Sequence, residues 1–227
     1  MTITRDMVHR ARQARRTLGP EALDRIDGFV AARSCPDGGF RGRSGASDLY
    51  YTNFALLALP TGPALAAARD YLHTFADGAD LDLVHLGCLA RGRRLLGLPP
   101  DARDASLARR VMTFARDDGG FHTERSARCS SAYGCFIAIG ALQDLEASLP
   151  PPDRLIGVLE SMRTPAGGFA NTPGAPLAIT PATTAAMVAL RELGRAATTE
   201  TLTWLLARCS ADGGFRAAPG LLAPDLL

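Results

Sequence analysis

The chain has 227 residues, of which 47% are hydrophobic and 21% charged, with a formal net charge of +2. This length is typical of one compact domain that folds without disulfides or a structural metal, and we predict a single domain over residues 1–227. The near balance of charge argues against a nucleic-acid-binding surface, which would need many basic residues to neutralise phosphates. All 25 basic residues are Arg, so chemistry that depends on Lys is excluded.

Cysteine usage and the N-terminal sequence indicate the compartment. Five Cys residues, an odd number spread along the chain, argue against a disulfide framework and favour a reducing environment. The first residues do not have the pattern of a signal peptide, and no apolar run approaches the length of a membrane span. We therefore expect a cytoplasmic protein without a membrane span.

The apolar residues recur at helical spacing, and no segment alternates with the two-residue period of a strand. A leading helix is predicted at residues 4–18, followed by repeats over residues 20–227. Outer-type helices, rich in Ala, Leu and Arg, are predicted near 21–34, 64–76, 103–116, 153–163 and 198–209. Inner-type helices, which are more apolar, are predicted near 48–60, 81–96, 131–146 and 180–193.

A Gly-Gly-Phe tripeptide follows four of the outer-type helices. The copies lie at residues 38–40, 119–121, 167–169 and 213–215, and three of them follow an Asp. A fifth unit, which has lost the glycine pair and the Phe, is predicted near residues 77–79. We expect the glycines to end the preceding helix, because Gly accepts the left-handed conformation of a helix C-cap.

The unit of the repeat is therefore helix, turn, loop and helix, which predicts an all-α fold that stacks as a solenoid or closes into a ring. Phe215 precedes Asp225 by ten residues, the spacing that separates Phe121 from Ser131. The next inner-type helix is thus predicted to begin at residues 225–227, where the sequence stops. We expect either a truncated or split chain, or an incomplete ring that a protein partner or self-association closes.

The loop after the first turn carries a more specific pattern. Asp-Gly-Gly-Phe is followed by Arg-Gly-Arg at residues 41–43 and by Ser-Asp-Leu-Tyr-Tyr-Thr at residues 47–52. This pattern resembles the prenyltransferase and squalene-oxidase repeat, and most of all the β subunits of protein prenyltransferases of the Rab geranylgeranyltransferase type. The resemblance covers roughly residues 20–227. It implies an α/α toroid whose inner helices line a central funnel and whose outer helices form the wall.

The resemblance also implies an activity and a site. Enzymes of this family bind a prenyl diphosphate in the funnel and use one zinc ion to activate a protein thiol. By matching positions, Arg43 and Tyr51 would hold the diphosphate, and Asp48 and His85 would hold zinc. Two departures matter: Tyr50 stands where the family has a Cys ligand, and no Lys occupies the family's loop position. The match also lies early in the chain, whereas the family's site lies in later units.

Simpler interpretations stand beside these assignments. Asp48 suits the N-cap of an inner-type helix, where its side chain accepts backbone N–H groups. His85 suits a hydrogen-bonded helix position as well as a metal site. Aromatic residues on the inner-type helices either line a prenyl pocket or form ordinary core: Tyr50, Tyr51, Phe54, Tyr133 and Phe136.

The leading hypothesis is a prenyltransferase-β-like protein that binds an isoprenoid diphosphate, or another apolar small molecule, in a central funnel. If it is an enzyme, it transfers the prenyl group to a thiol, with zinc as the cofactor. The alternative is a non-catalytic helical-repeat module that binds a protein or lipid partner, which the missing Cys and Lys favour. The terpene-cyclase branch of the fold is disfavoured, because residues 80–83 fall one Asp short of its Asp-x-Asp-Asp acid.

Overall fold

The computed structural model describes residues 2–59, 64–211 and 213–221. Within these ranges the chain forms ten α-helices and isolated β-bridges but no strand. In chain order they are α1 (Ile3–Thr17), α2 (Pro20–Ala31), α3 (Leu49–Ala58), α4 (Ala64–His73), α5 (Leu83–Leu95), α6 (Ala102–Met112), α7 (Ala132–Asp144), α8 (Pro152–Glu160), α9 (Thr180–Glu192) and α10 (Thr199–Leu206). All ten predicted helices are confirmed, and each outer-type helix ends three or four residues earlier than predicted.

The chain divides into two compact units. The first consists of Met1–Val111 and Gly140–Ser148, and the second of Met112–Ile139 and Leu149–Leu227. In the first unit the main helix pair is α3 and α5, and in the second α8 and α10 pack against α9. Helix α7 contributes residues to both units.

Each Gly-Gly-Phe tripeptide forms a tight turn beyond its outer-type helix. The first glycine has a positive φ in every copy: +89° at Gly38, +101° at Gly119, +95° at Gly167 and +93° at Gly213. The amide of this glycine donates to the carbonyl three residues earlier, at 3.0 Å in all four turns. The expectation that these glycines cap the helices is wrong. Each lies seven residues past the helix end, where the chain reverses and only a residue without Cβ adopts this φ freely.

The Asp before the glycines ties the turn to the loop that follows. In the first turn Asp37 accepts the Gly39 amide at 3.0 Å and the Ser47 hydroxyl. In the second, Asp118 accepts the amide of Ser130 at 2.7 Å and its hydroxyl. Burial opposes ionisation, yet the hydrogen bonds from Ser130 lower the pKa of Asp118. The third predicted Asp, Asp212, lies outside the described residues.

The Phe of the motif is the core residue of the unit. Phe40, Phe121 and Phe169 are at most 2% exposed. The backbone amide of each Phe donates to a side chain on the first turn of the following inner-type helix. This pairing matters because an unpaired N–H in a buried, apolar environment would be costly. The acceptors are Thr52 at 2.9 Å, Cys135 at 3.3 Å and Thr183 at 2.9 Å.

The predicted degenerate unit near residues 77–79 is present as a turn. Gly78 has a φ of +71°, and its amide donates to the Phe75 carbonyl at 2.8 Å, as in the intact motifs. The turn therefore keeps the left-handed glycine although the second glycine and the Phe are lost. The helix predicted to begin at residues 225–227 lies outside the described residues.

Candidate functional site

The N-termini of α3 and α5 each carry a capping Asp. Asp48 accepts the backbone amides of Tyr50 at 2.7 Å and Tyr51 at 3.3 Å. Asp82 accepts the amide of His85 at 2.8 Å. Both carboxylates satisfy backbone donors at the positive end of a helix, which stabilises the helix start. The capping interpretation of Asp48 is confirmed.

His85 lies between the two capping carboxylates. Its Nδ1 is 2.8 Å from Asp82 Oδ1, and its Nε2 is 3.3 Å from Asp48 Oδ2. Burial disfavours the imidazolium, but the hydrogen bonds and charges of the two carboxylates prevail and raise the pKa of His85. The structure thus brings together Asp48 and His85, the two residues that the sequence assigned to a metal. Asp82, three residues before His85, is the third member of the group.

The zinc assignment rests on two members of this group, Asp48 and His85. Catalytic zinc sites commonly have three protein ligands, and the described part of the chain contains no cluster of three or more His, Cys, Asp or Glu side chains suited to a metal. At the family's Cys position, burial raises the pKa of the Tyr50 phenol, which keeps its proton. One helical turn after His85, burial likewise raises the pKa of the Cys88 thiol to about 11. Asp48 and His85 alone fall short of the usual three protein ligands, and zinc binding by them stays a prediction.

The aromatic side chains of α3 are exposed. Tyr50, Tyr51 and Phe54, here called the aromatic cluster, are 40%, 47% and 49% exposed. The Tyr50 ring contacts the other two edge-on, with centroid distances of 5.6 Å to Tyr51 and 4.9 Å to Phe54. The ordinary-core interpretation is wrong for these three. The opposite face of α3, which includes Leu49 and Leu56, makes the core contacts.

The loop that carries Arg43 lies against the aromatic cluster. A Cβ atom built on Gly42 would lie 2.7 Å from the Tyr51 ring, so the backbone of Gly42 packs directly on that ring. Arg43 follows and is exposed, and within the described residues its side chain makes no hydrogen bond or ion pair. Arg43 and Tyr51, the two residues assigned to a diphosphate, therefore lie in two segments that contact each other.

Asn53 fixes α3 to α5 beneath the site, and the sequence interpretation missed it. This residue is 4% exposed, and its side-chain amide donates to the carbonyls of Leu49 at 3.0 Å and Cys88 at 2.8 Å. An amide in the buried stripe of an otherwise apolar helix was the available signal, because buried polar groups need partners. The hydrogen bonds hold the two helix starts in a fixed relation.

The other two predicted lining residues belong to the second unit. Tyr133 and Phe136 are half-buried on α7, with their ring centroids 6.3 Å apart and the planes tilted by 33°. The backbone amide of Tyr133 donates to Asn171 at 3.2 Å. Tyr133 and Phe136 therefore form an aromatic pair of their own in the second unit.

Known proteins share this architecture. Residues 104–225, more than half of the chain, match the family model described as prenyltransferase alpha-alpha toroid domain. Protein geranylgeranyltransferase-I from Candida albicans, solved with GGPP, superposes with a TM-score of 0.65 at 16% identity, over 92% of this chain and 75% of that one. No curated protein matches this sequence.

Type II terpene cyclase structures are also similar. The apo form of MstE from Scytonema has a TM-score of 0.60 at 17% identity, over 86% of this chain and 65% of that one. A variant of the same cyclase, solved with its substrate geranylgeranyl dihydroxybenzoate, has a TM-score of 0.60 at 15% identity, over 93% and 67%. These matches confirm the predicted all-α toroid fold. None of the described helices is long and apolar enough to cross a membrane.

Proposed function

Because this chain belongs to the prenyltransferase alpha-alpha toroid domain family, we propose that it binds an isoprenoid diphosphate at the start of α3. The observation that carries the proposal is the exposed aromatic cluster beside the Arg43 loop. Solved structures of the same fold hold GGPP or geranylgeranyl dihydroxybenzoate. At 15–16% identity this similarity supports a ligand class and leaves the roles of residues to the geometry.

The aromatic cluster suits the prenyl chain. Ligand sites are mostly apolar with a few placed polar groups, and aromatic rings offer large contact areas at little cost in side-chain entropy. Tyr50, Tyr51 and Phe54 expose their rings on one face of α3, which a branched hydrocarbon chain would cover. Covering these rings removes apolar surface of both partners from water.

Arg43 and Tyr51 suit the diphosphate. A guanidinium binds two phosphate oxygens at once, and a phenol can donate a further hydrogen bond. The group of Asp48, Asp82 and His85 carries a charge of −1 with His85 protonated and −2 with it neutral, so it repels a diphosphate. We therefore place the diphosphate on the Arg43 side of the cluster and assign the His85 group to holding the two helix starts.

A non-catalytic module is the second candidate, and a specific observation favours it. Thiol activation needs a thiolate, yet Tyr50 replaces the family's Cys and the nearby Cys88 thiol keeps its proton. Because the zinc assignment rests on only two residues, Asp48 and His85, we propose that the site binds the isoprenoid diphosphate without activating a thiol. Prenyl transfer to a thiol is the further activity that an assay with a thiol acceptor tests.

Calorimetry with three ligands separates the two parts of the site: geranylgeranyl diphosphate, inorganic pyrophosphate and geranylgeraniol. Arg43→Gln should weaken the diphosphate and pyrophosphate about 10- to 100-fold, the effect of losing a charge-assisted hydrogen bond. Phe54→Ala should weaken geranylgeraniol but not pyrophosphate. Arg12→Gln, at an exposed position of α1, is the matched control.

The outcomes distinguish the hypotheses. A folded, helical wild-type chain that binds none of the three ligands overturns the proposal. Binding that gains affinity with zinc, and loses this gain in Asp48→Asn, would support the zinc prediction. Equal affinity with zinc and with EDTA would refute it.

A further inference from the structure

Helix α1 concentrates positive charge. Its 15 residues include five Arg and one Asp, a formal charge of +4, whereas the whole chain carries +2. The rest of the chain therefore carries a net −2. The positive charge of this protein is thus a local property of one helix, and the charge on either side of the molecule is unequal.

Four side chains form a line along α1. Arg5, His9, Arg12 and Arg16, here called the basic stripe, follow one another at intervals of four, three and four residues. At 3.6 residues per turn this spacing places them on one face, over a length of about 17 Å. All four are exposed, and among the described residues their side chains make no hydrogen bond or ion pair.

The other two Arg residues of α1 have carboxylate partners. Arg10 lies 3.1 Å from Asp6, the single acidic residue of the helix, and Arg15 lies 2.7 Å from Asp27 of α2. The acidic groups nearest to α1 are therefore already occupied. The Arg residues of the stripe are those that the fold leaves without a carboxylate.

The face of α1 opposite the stripe packs on the ends of the inner-type helices. Arg15 donates to the carbonyl of Ala58, the last residue of α3, at 2.9 Å. Thr4 donates to Asp144, the last residue of α7, at 2.7 Å, and accepts from Arg91 near the end of α5 at 3.3 Å. The candidate site lies at the starts of α3 and α5, so α1 covers the other ends of these helices.

An open groove beside the stripe carries further polar groups. It has a volume of about 550 Å³ and is lined by Arg10, Gln13, Ala14, Arg16 and Thr17. The guanidinium and amide groups of such a lining donate hydrogen bonds to phosphate oxygens. The groove therefore suits the phosphate of a lipid headgroup.

We propose that the basic stripe binds the surface of an anionic phospholipid bilayer. A bilayer presents negative charge over a plane wide enough to meet the whole stripe, and basic clusters on helices bind such surfaces. The charge of −2 on the rest of the chain orients α1 towards the bilayer. A protein partner fits less well, because stable protein interfaces depend on buried aromatic or apolar anchors, and the stripe contains none.

Cosedimentation with lipid vesicles tests the proposal. One set of vesicles contains phosphatidylcholine alone, and the other contains about one third phosphatidylglycerol, which supplies the negative surface potential. We expect the wild-type chain to bind the anionic vesicles and leave the neutral ones. Binding should be lost in about 1 M salt, where the Debye length is only about 3 Å.

A triple variant tests the stripe itself. Each Arg near an anionic bilayer strengthens binding about 5-fold, so removing three should raise the dissociation constant roughly 100-fold. The variant combines Arg5→Gln, Arg12→Gln and Arg16→Gln. The matched control removes the same charge from exposed Arg residues of other segments, with Arg69→Gln, Arg128→Gln and Arg195→Gln. Gln is about as good a helix former as Arg, so both variants should keep their helical circular dichroism.

Four results would overturn the proposal. A wild type that ignores anionic vesicles but binds soluble polyglutamate uses the stripe for an acidic protein, and one that binds neither has no polyanion surface there. Equal binding to neutral vesicles shows an apolar attachment. A triple variant that binds as tightly as the wild type uses another surface. A control that loses as much affinity as the triple variant shows that net charge decides the binding.

Discussion

Substituting Gly168 with Ala tests how closely the third Gly-Gly-Phe turn packs on Trp204 of α10. The new Cβ would lie 2.6 Å from the Trp204 ring and 2.8 Å from the Ala178 methyl group. The φ of Gly168 is not in the left-handed region, so the effect is steric. Overpacking of this kind costs about 1–3 kcal/mol. The lower entropy of the unfolded Ala chain offsets about 0.4–1 kcal/mol of this, and the mid-range values leave a net destabilisation of about 1.3 kcal/mol.

Gly157→Ala is a matched control in the same unit. Gly157 lies within α8, and a Cβ built on it meets no atom within 4 Å. Ala is a better helix former than Gly, so this variant should be stabilised by about 0.5–1 kcal/mol. The same chemical change should therefore act with opposite signs at two positions.

Urea unfolding, followed by circular dichroism and by tryptophan fluorescence, measures both effects. Trp204 is the only Trp of the chain, so its emission reports directly on the contact. In a separate thermal melt, the midpoint temperature of Gly168→Ala should fall by several degrees. At this chain length a loss of about 1 kcal/mol corresponds to roughly 2–4 °C. A Gly168→Ala variant as stable as the wild type, with unchanged Trp204 emission, would refute the packing argument.

Three further predictions concern polar side chains and their hydrogen bonds. Burial raises the pKa of Asp144 to about 6, so the folded state holds the proton more tightly than the unfolded state. The resulting stabilisation, on the order of 3 kcal/mol, is lost as the pH rises from 4 through 6. In Asp144→Asn, the urea midpoint should therefore no longer fall between pH 4 and pH 7. Asp48→Asn should lower the pKa of His85, because it removes the carboxylate beside the His85 Nε2 atom. NMR titration of the His85 ring measures this pKa, and an unchanged value would contradict the contact between His85 and Asp48. Thr183→Val should cost about 1–3 kcal/mol because it leaves the amide it accepts unpaired, while Thr184→Val, at an exposed position, should change the urea midpoint little.

The helices and the repeat were predictable because their signals are local. Apolar spacing gave all ten helices, and the recurrence of Gly-Gly-Phe located the turns, including the degenerate one at Gly78. The N-cap role of Asp48 was also predictable, since it depends on residues two and three positions away. The same local reasoning placed the glycines wrongly at the helix ends, because a left-handed residue fits a C-cap and a tight turn equally well.

Contacts between distant segments were decided by the tertiary structure. A sequence does not say which face of an apolar helix meets the core, so the exposure of Tyr50, Tyr51 and Phe54 had to come from the packing of α3 on α5. The position of His85 between two carboxylates joins segments 37 residues apart. Phe29 and Tyr71 each lie two residues before the end of an outer-type helix, yet Phe29 is 59% exposed and Tyr71 only 5%. The difference is tertiary, because the backbone of Gly39 packs on the Tyr71 ring.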